Sequence, residues 1–408
     1  IEGTAEGEEV KKLPPVKPID KIIVAFAGPL FSFLLAVVFA VLVWAVGKPV
    51  SESRNTTTVG IVGEDTPAEA AGILPGDKII SIDGMEIESF LGMNRSITWA
   101  VVSAEGETLS VELERPDEGR MSLEVVRPEI KEEEIEGGLF AKVWHYISAR
   151  KPLPKIGVGP SISAVVVETK DHSPGRAAGL EIGDRIVSIN GEDVLGYRDV
   201  SDFDWKAGEA VTLTVARDSE RLEFVVTPRL PELPESPPTP AKGLELTGIA
   251  FDAAGVRGVE RPNPLTQVKN GVTTMVQTLR AVISPKSDVN VSHLSGPVGI
   301  MGVYYDLFQH PDGWRLALWF SVVLNINLAI LNLLPFPVLD GGHIVMATAE
   351  GIRRKALPVK FLEIIQTAFV LLLFSFIIFV TFKDIGDRVP KGEAATEVQR
   401  AFLPLQNS

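Results

Sequence analysis

The sequence predicts a multi-domain membrane protein: a polytopic α-helical part with three spans, joined to two copies of a small β-rich domain. Three observations carry this. Three stretches are long, apolar and free of charge, a long polar region separates the first two, and one 22-residue pattern occurs twice within that region without gaps.

Taken in order, residues 22–47 carry no charge over 26 positions, and roughly 20 apolar residues cross about 30 Å of hydrocarbon as a helix. A second uncharged run covers 316–339 and a third covers 364–382. Lys and Arg stay on the cytoplasmic side of a span. Lys11, Lys12, Lys17 and Lys21 precede the first run, and Arg353, Arg354, Lys355 and Lys360 lie between the second and third. Both clusters belong in the cytoplasm, so the central region and the tail from Lys383 are expected outside it. The net charge of −14 comes mostly from that outer part, including EIKEEEIEG at 129–137. This run reads as a solvated linker, and the acidic balance argues against nucleic acid as a partner. There is no cysteine, which excludes disulfides, thiol ligands and thiol nucleophiles.

The repeat aligns TPAEAAGILPGDKIISIDGMEI (66–87) on SPGRAAGLEIGDRIVSINGEDV (173–194), with ten identities in 22 positions. Each copy opens a short helix with a capping hydroxyl and a proline, Thr66-Pro67 or Ser173-Pro174, and closes it at Gly72 or Gly179. An alternating strand follows, ending in Asp83-Gly84 or Asn190-Gly191, pairs suited to tight turns with positive φ. The pattern resembles that of PDZ domains of bacterial envelope proteases. Such domains take an extended peptide as an added strand on a sheet edge. The candidate groove residues are Gly60 and Ile61 in the first copy and Gly157 and Val158 in the second. An equally open reading is that the copies bind no peptide tail and only shape or shield the membrane part. After them, PRLPELPESPPTPAKG at 228–243 reads as a semi-rigid connector. Val268, Val272, Met275, Val276, Leu279 and Val282 then recur at helical spacing. That stripe either lies on the membrane lipid or packs on the rest of the protein.

The second apolar run ends in NLLPFPVLDGGH, Asn332 to His343. Asn325 and Asn332 share a helical face, and intramembrane polar residues ordinarily face a cavity, so a polar strip is expected to point inward. Pro335 and Pro337 remove two backbone donors and disfavour helix at the residues before them. Non-helical backbone at membrane depth survives only where it is buried or lines a cavity. Asp340 follows, with Gly341 and Gly342 permitting a sharp turn. Its carboxylate either meets a metal or caps the next helix.

NLLPFPVLDGGH resembles the N-x-x-P-x-P-x-L-D-G motif of the site-2 protease family of intramembrane zinc metalloproteases. The order span, two PDZ copies, span, LDG, span is similar to that of its bacterial RseP-type members. Gly28-Pro29 matches the family's GPxxN element, with Ser32 in place of Asn, and LSGPVGI (294–300) matches its GPxGI segment. The resemblance implies that Asp340 is a zinc ligand and that Asn332, Pro335 and Pro337 help hold an extended substrate. It also implies that His343 is a companion residue and not a ligand. The family's other two ligands and its general base come from HExxH, which is absent here, so no catalytic residue is expected in this chain and it should be inactive as it stands. Because Ile1 is not Met and HExxH precedes a segment like 1–12 in the family, the chain is expected to be an N-terminally truncated piece.

The expected layout is a cytoplasmic basic segment (1–21), a span (22–47), the first PDZ domain (55–128), a linker (129–153) and the second PDZ domain (154–230). A connector with an amphipathic surface helix (231–312), a span bearing LDG (313–343), a basic loop (344–360), a span (361–382) and an extracytoplasmic tail (383–408) complete it. The implied function is regulated intramembrane proteolysis at the bacterial inner membrane, with Zn2+ as cofactor. Its substrates would be pre-trimmed single-pass membrane proteins such as anti-sigma factors or remnant signal peptides. The alternative is a non-catalytic, membrane-anchored PDZ adaptor.

Overall fold

The computed structural model describes residues 17–128, 138, 140, 150–231, 243–252, 254–354 and 358–388. Lys11, Lys12, the acidic run 129–137, His145, most of the proline-rich connector, Lys355 and the tail beyond Arg388 lie outside the described residues.

The first apolar run folds as α1 (Pro18–Val46), 29 residues and so about 43 Å long. Its buried positions are Pro29, Ala36, Ala40 and Val43, small residues that permit close helix contact. After Gly47 come β1 (Lys48–Ser51) and the single turn α2 (Glu52–Asn55).

The first β-rich module contains β2 (Val59–Val62), α3 (Pro67–Ala70), β3 (Lys78–Ile82), β4 (Met85–Glu86), α4 (Ile97–Ser103), β5 (Thr108–Arg115), β6 (Gly119–Val126) and β7 (Val158–Pro160). The second contains β8 (Ala164–Thr169), α5 (Pro174–Ala177), β9 (Arg185–Ile189), β10 (Glu192–Asp193), α6 (Tyr197–Asp202), β11 (Val211–Arg217), β12 (Glu220–Val226) and β13 (Ile249–Phe251). Then follow β14 (Arg257–Glu260), α7 (Pro264–Ile283), α8 (Pro297–Phe308), α9 (Gly313–Asn332), α10 (Asp340–Arg353) and α11 (Val359–Arg388). α1, α9 and residues 362–388 of α11 are long and apolar enough to cross a membrane.

The repeated sequence gives repeated structure. Thr66 and Ser173 accept hydrogen bonds from the backbone N–H groups of Glu69 and Arg176, and Asp83-Gly84 and Asn190-Gly191 all take positive φ. In one sheet the order is β4-β3-β5-β6; in the other it is β12-β11-β9-β8-β13, with β10 on β9. Ile79, Ile82, Leu109 and Leu113 fill the first core, and Ile186, Leu213, Val215 and Trp205 the second. Burying each such aliphatic side chain contributes about 1.5–3 kcal/mol.

Each module carries an ion pair whose acidic half is the Asp of the repeated Gly-Asp. Arg115 grips Asp77 through Nε and Nη2, both at 2.8 Å, and its Nη2 also donates to the Gly72 carbonyl at 2.7 Å. Arg217 repeats this on Asp184 and the Gly179 carbonyl. The hydrogen bonds to these carboxylates raise both guanidinium pKa values above their ordinary range.

The chain forms two compact units. One holds residues through Val46, Pro262–Met275 and Ile300–Thr381. Within it Ala36, Ala40, Val43, Val322 and Ile326 form a core against which Val268 and Val272 of α7 pack. Gln267 reinforces this by donating to the carbonyls of Ala40 and Pro262, each at 2.9 Å. The other unit holds Gly47–Arg261, Val276–Gly299 and residues from Phe382. There Ala281 and Val282 of α7 pack with Trp99, Val102 and Val289. Val268 and Val272 of the stripe thus pack in the first unit and Val282 in the second, while Val276 is exposed. In the same unit the buried Asp384 carboxylate accepts from Gly296 N–H (3.0 Å), Gly299 N–H (2.7 Å) and Arg150 Nη2 (2.7 Å). It thereby caps α8, whose own preceding residue, Gly296, has no side chain to do so.

Candidate active site

α9 ends at Asn332 because the chain beyond it cannot keep the helical ladder. Pro335 and Pro337 have no N–H, and the remaining bonds are short-range: Leu334 N–H to Leu331 O (3.0 Å), Phe336 N–H to Leu334 O (2.7 Å) and Leu339 N–H to Phe336 O (2.9 Å). Leu339 is extended (φ −96°, ψ 160°), and Asp340 opens α10 as its first residue. The two glycines allow this return. A Cβ on Gly341 would lie 2.2 Å from the Leu333 carbonyl oxygen, and one on Gly342 would lie 2.0 Å from that of Phe336. The Phe336 ring meets Phe369 of α11 at a centroid distance of 5.3 Å.

The Asp340 carboxylate rests on α1. A Cβ on Gly28 would stand 2.6 Å from Asp340 Oδ2, so the missing side chain is what admits the carboxylate. Asp340 lines a cavity of about 460 Å³ together with His343, Asp20, Lys21, Glu350 and Gln366. Lys21 Nζ and Glu350 Oε2 pair across it at 2.7 Å. The negative Asp340 sits at a helix N-terminus, where the backbone dipoles favour it.

Of the sequence candidates, Asn332, Pro335, Pro337 and Asp340 fall in one continuous turn, with His343 beside the cavity. Asn325 is half-buried, and its Nδ2 donates back to the Ser321 carbonyl at 2.8 Å. His293 and His310 accept hydrogen bonds from nearby backbone N–H groups, away from Asp340 in sequence and in lining. Asp20, Lys21, Glu350 and Gln366 were invisible to motif reading because only the packing of α1, α10 and α11 gathers them.

The groove candidates are brought together, though not as two separate grooves. β2 and β7 pair antiparallel, with Ile61 opposite Gly159 and Val62 opposite Val158, and Gly63 N–H donates to Gly157 O at 2.8 Å. Ile156 is buried in the first core, so the stretch 156–158 expected in the second copy completes the first. β13 plays the same part on β8 in the second module. Gly157 (φ +90°) and Gly248 (φ +67°) are equivalent: their carbonyls accept from Gly63 and Lys170. Gly248 escaped the sequence alignment because its offset from Gly157 differs from that of the 22-residue repeat.

The model of peptidase family M50 matches residues 3–376. This chain belongs to peptidase family M50. It is similar to protease RseP of Yersinia pestis, 26% identical over 356 residues that cover 82% of this chain and 71% of that one. A Neisseria meningitidis protein named as a zinc metalloprotease is 30% identical over 349 residues, 83% and 73% of the two chains. The regulator of sigma E protease of Haemophilus influenzae is 26% identical over 382 residues, 90% and 78%. The M50 peptidase is a membrane zinc metalloendopeptidase of the site-2 type, with Zn2+ as its cofactor. Among the described residues, no three His, Asp or Glu side chains converge to hold a metal. The described residues therefore do not by themselves fit a zinc ion, since a catalytic zinc needs three protein ligands. Asp340 is the one carboxylate that the unwound turn delivers to the cavity.

Proposed function

We propose that this M50 peptidase carries out regulated intramembrane proteolysis at the bacterial inner membrane. It cuts single-pass membrane proteins already shortened on the outside, such as anti-sigma factors or remnant signal peptides. The observation that carries this reading is the unwound 333–339 turn, which ends in a carboxylate lining a cavity of the membrane unit. A peptide bond inside an α-helix is hydrogen-bonded and shielded, so a substrate must be extended before it can be cut. Backbone freed from a helical ladder by Pro335 and Pro337 offers partners for such a strand, with Asn332 adding an amide. Asp340 is one zinc ligand in this reading. The family's other ligands sit in HExxH, which does not occur within residues 1–408.

The two β-rich modules are PDZ domains on the extracytoplasmic side and limit admission by size. The outer edges of β7 and β13, each following a positive-φ glycine, are where an extended tail would add as a strand. The test is cleavage of a labelled single-span substrate by the native protein from its own source, repeated with Asp340→Asn. Loss of both cleavage and bound zinc is expected. Equal cleavage by the two forms would remove Asp340 from the site.

A further inference from the structure

We propose that the Glu52 carboxylate is a coupling residue that locks the tandem of β-rich modules to the two-stranded ribbon continuing α1. The ribbon is β1 on β14, paired from Lys48 opposite Glu260 to Ser51 opposite Arg257. Glu52 closes its open end: the Glu52 N–H donates to Val256 O at 3.0 Å, and its Oε2 accepts from Val256 N–H at 3.1 Å. The same carboxylate reaches the connector between the modules. Oε2 accepts from Ser163 N–H at 3.1 Å, and Oε1 from Ser163 Oγ at 2.9 Å. One side chain thus makes three charge-assisted hydrogen bonds to two chain segments more than 90 positions apart in sequence, Ser163 and Val256. Bonds to an ionised acceptor are roughly twice as strong as neutral ones.

The connector that Glu52 grips is itself fixed to both modules. Ser161 N–H donates to Thr58 O at 2.9 Å on the first, and Ser161 Oγ donates to Leu195 O at 2.9 Å on the second. Tyr197 N–H donates to Ile162 O at 2.7 Å. Ser161 and Ile162 are each only 8% exposed. Two glycines admit the connector: a Cβ on Gly60 would lie 2.5 Å from Ser161 Cα, and one on Gly196 would lie 2.7 Å from Ile162 O. A linker with satisfied, buried backbone is not a hinge. The modules therefore form one body, and Glu52 transmits the position of that body to β1, which begins two residues after α1 ends.

Residues 1–408 contain no cysteine, so within this chain two introduced cysteines are the only sites of spin labelling. One pair spans the modules (Arg120→Cys with Glu220→Cys), and another spans the second module and the ribbon (Glu220→Cys with Gly258→Cys). Pulsed dipolar spectroscopy on the protein in nanodiscs should give a single narrow distance peak for each pair. Glu52→Ala should lose the narrow peak for the module–ribbon pair and keep it for the module–module pair. Glu52→Gln, which retains an accepting oxygen for the backbone donors, should keep both. Narrow peaks for both pairs in Glu52→Ala, or loss of both together, would overturn the assignment. None of these readouts depends on proteolytic activity.

Discussion

Gly342→Ala probes the turn that presents Asp340. The added Cβ would stand 2.0 Å from the Phe336 carbonyl oxygen and 2.8 Å from Pro337 Cα. An ordinary carbon–oxygen contact is about 3.3 Å, so α10 and the turn must separate by about 1.3 Å. The neighbour is backbone, and Pro335 and Pro337 fix their own φ, so it cannot swing aside as a side chain would. Close-packed interiors transmit such a displacement, and misplacing reacting groups by 1 Å can cost on the order of 10²-fold in rate. The assay is kcat/KM for a fluorophore-labelled single-span substrate, run beside hydrogen exchange of the β-rich modules to show that the rest of the fold is intact. Gly84→Ala is the control, since a Cβ there meets open space and only the turn of the first module is strained. If Gly342→Ala keeps more than half of the wild-type kcat/KM, the proposed dependence of the site on this turn is refuted.

Gly28→Ala should push Asp340 off α1, because the new Cβ would overlap Oδ2 at 2.6 Å; bound zinc and kcat/KM should fall together while thermal stability changes little. Asp77→Ala leaves Arg115 without its partner. Breaking a sealed pair costs roughly 3–5 kcal/mol, and Arg115 remains 15% exposed, so about 2–3 kcal/mol is expected, read as faster hydrogen exchange in β3 but not in β9. The raised Arg115 pKa gives stability that is complete below the unfolded-state value and lost only as pH rises through the folded one. The first module's stability should therefore carry this arginine's full contribution, with no pH dependence from it, across the neutral range, which a urea-titration series against pH would check. Asp384→Ala removes the cap of α8, a loss of about 1 kcal/mol from the cap itself, while Arg150 keeps Asp387 and the Ser292 and Leu294 carbonyls; hydrogen exchange at Gly296–Gly299 should report the loss, and unchanged protection there would argue against the cap.

The spans were legible because no charge interrupts their apolar runs, and the hairpin turns were legible because Asp-Gly and Asn-Gly have few other uses. The broken helix was legible too, since two prolines and an aspartate are costly in a bilayer. What escaped was set by long-range pairing. Arg115 and Arg217 are ordinary strand-end residues until the sheet brings them to Asp77 and Asp184. Residues 156–158 look like the start of the second copy, yet they complete the first, because the long-range pairing of β7 with β2 leaves no local signal.

The late arrival of β7 sets the order of events during synthesis. β6 ends at Val126, whereas the strand that covers β2 ends at Pro160, which is about 2–7 s of translation at roughly 5–20 residues per second. During that interval β2 presents an unpaired edge, the kind of surface that recruits strands from other chains. The second module repeats the delay, waiting for β13 after β12 has ended at Val226. A newborn chain thus passes twice through a sticky state, and holding factors would find their opportunity in those two intervals.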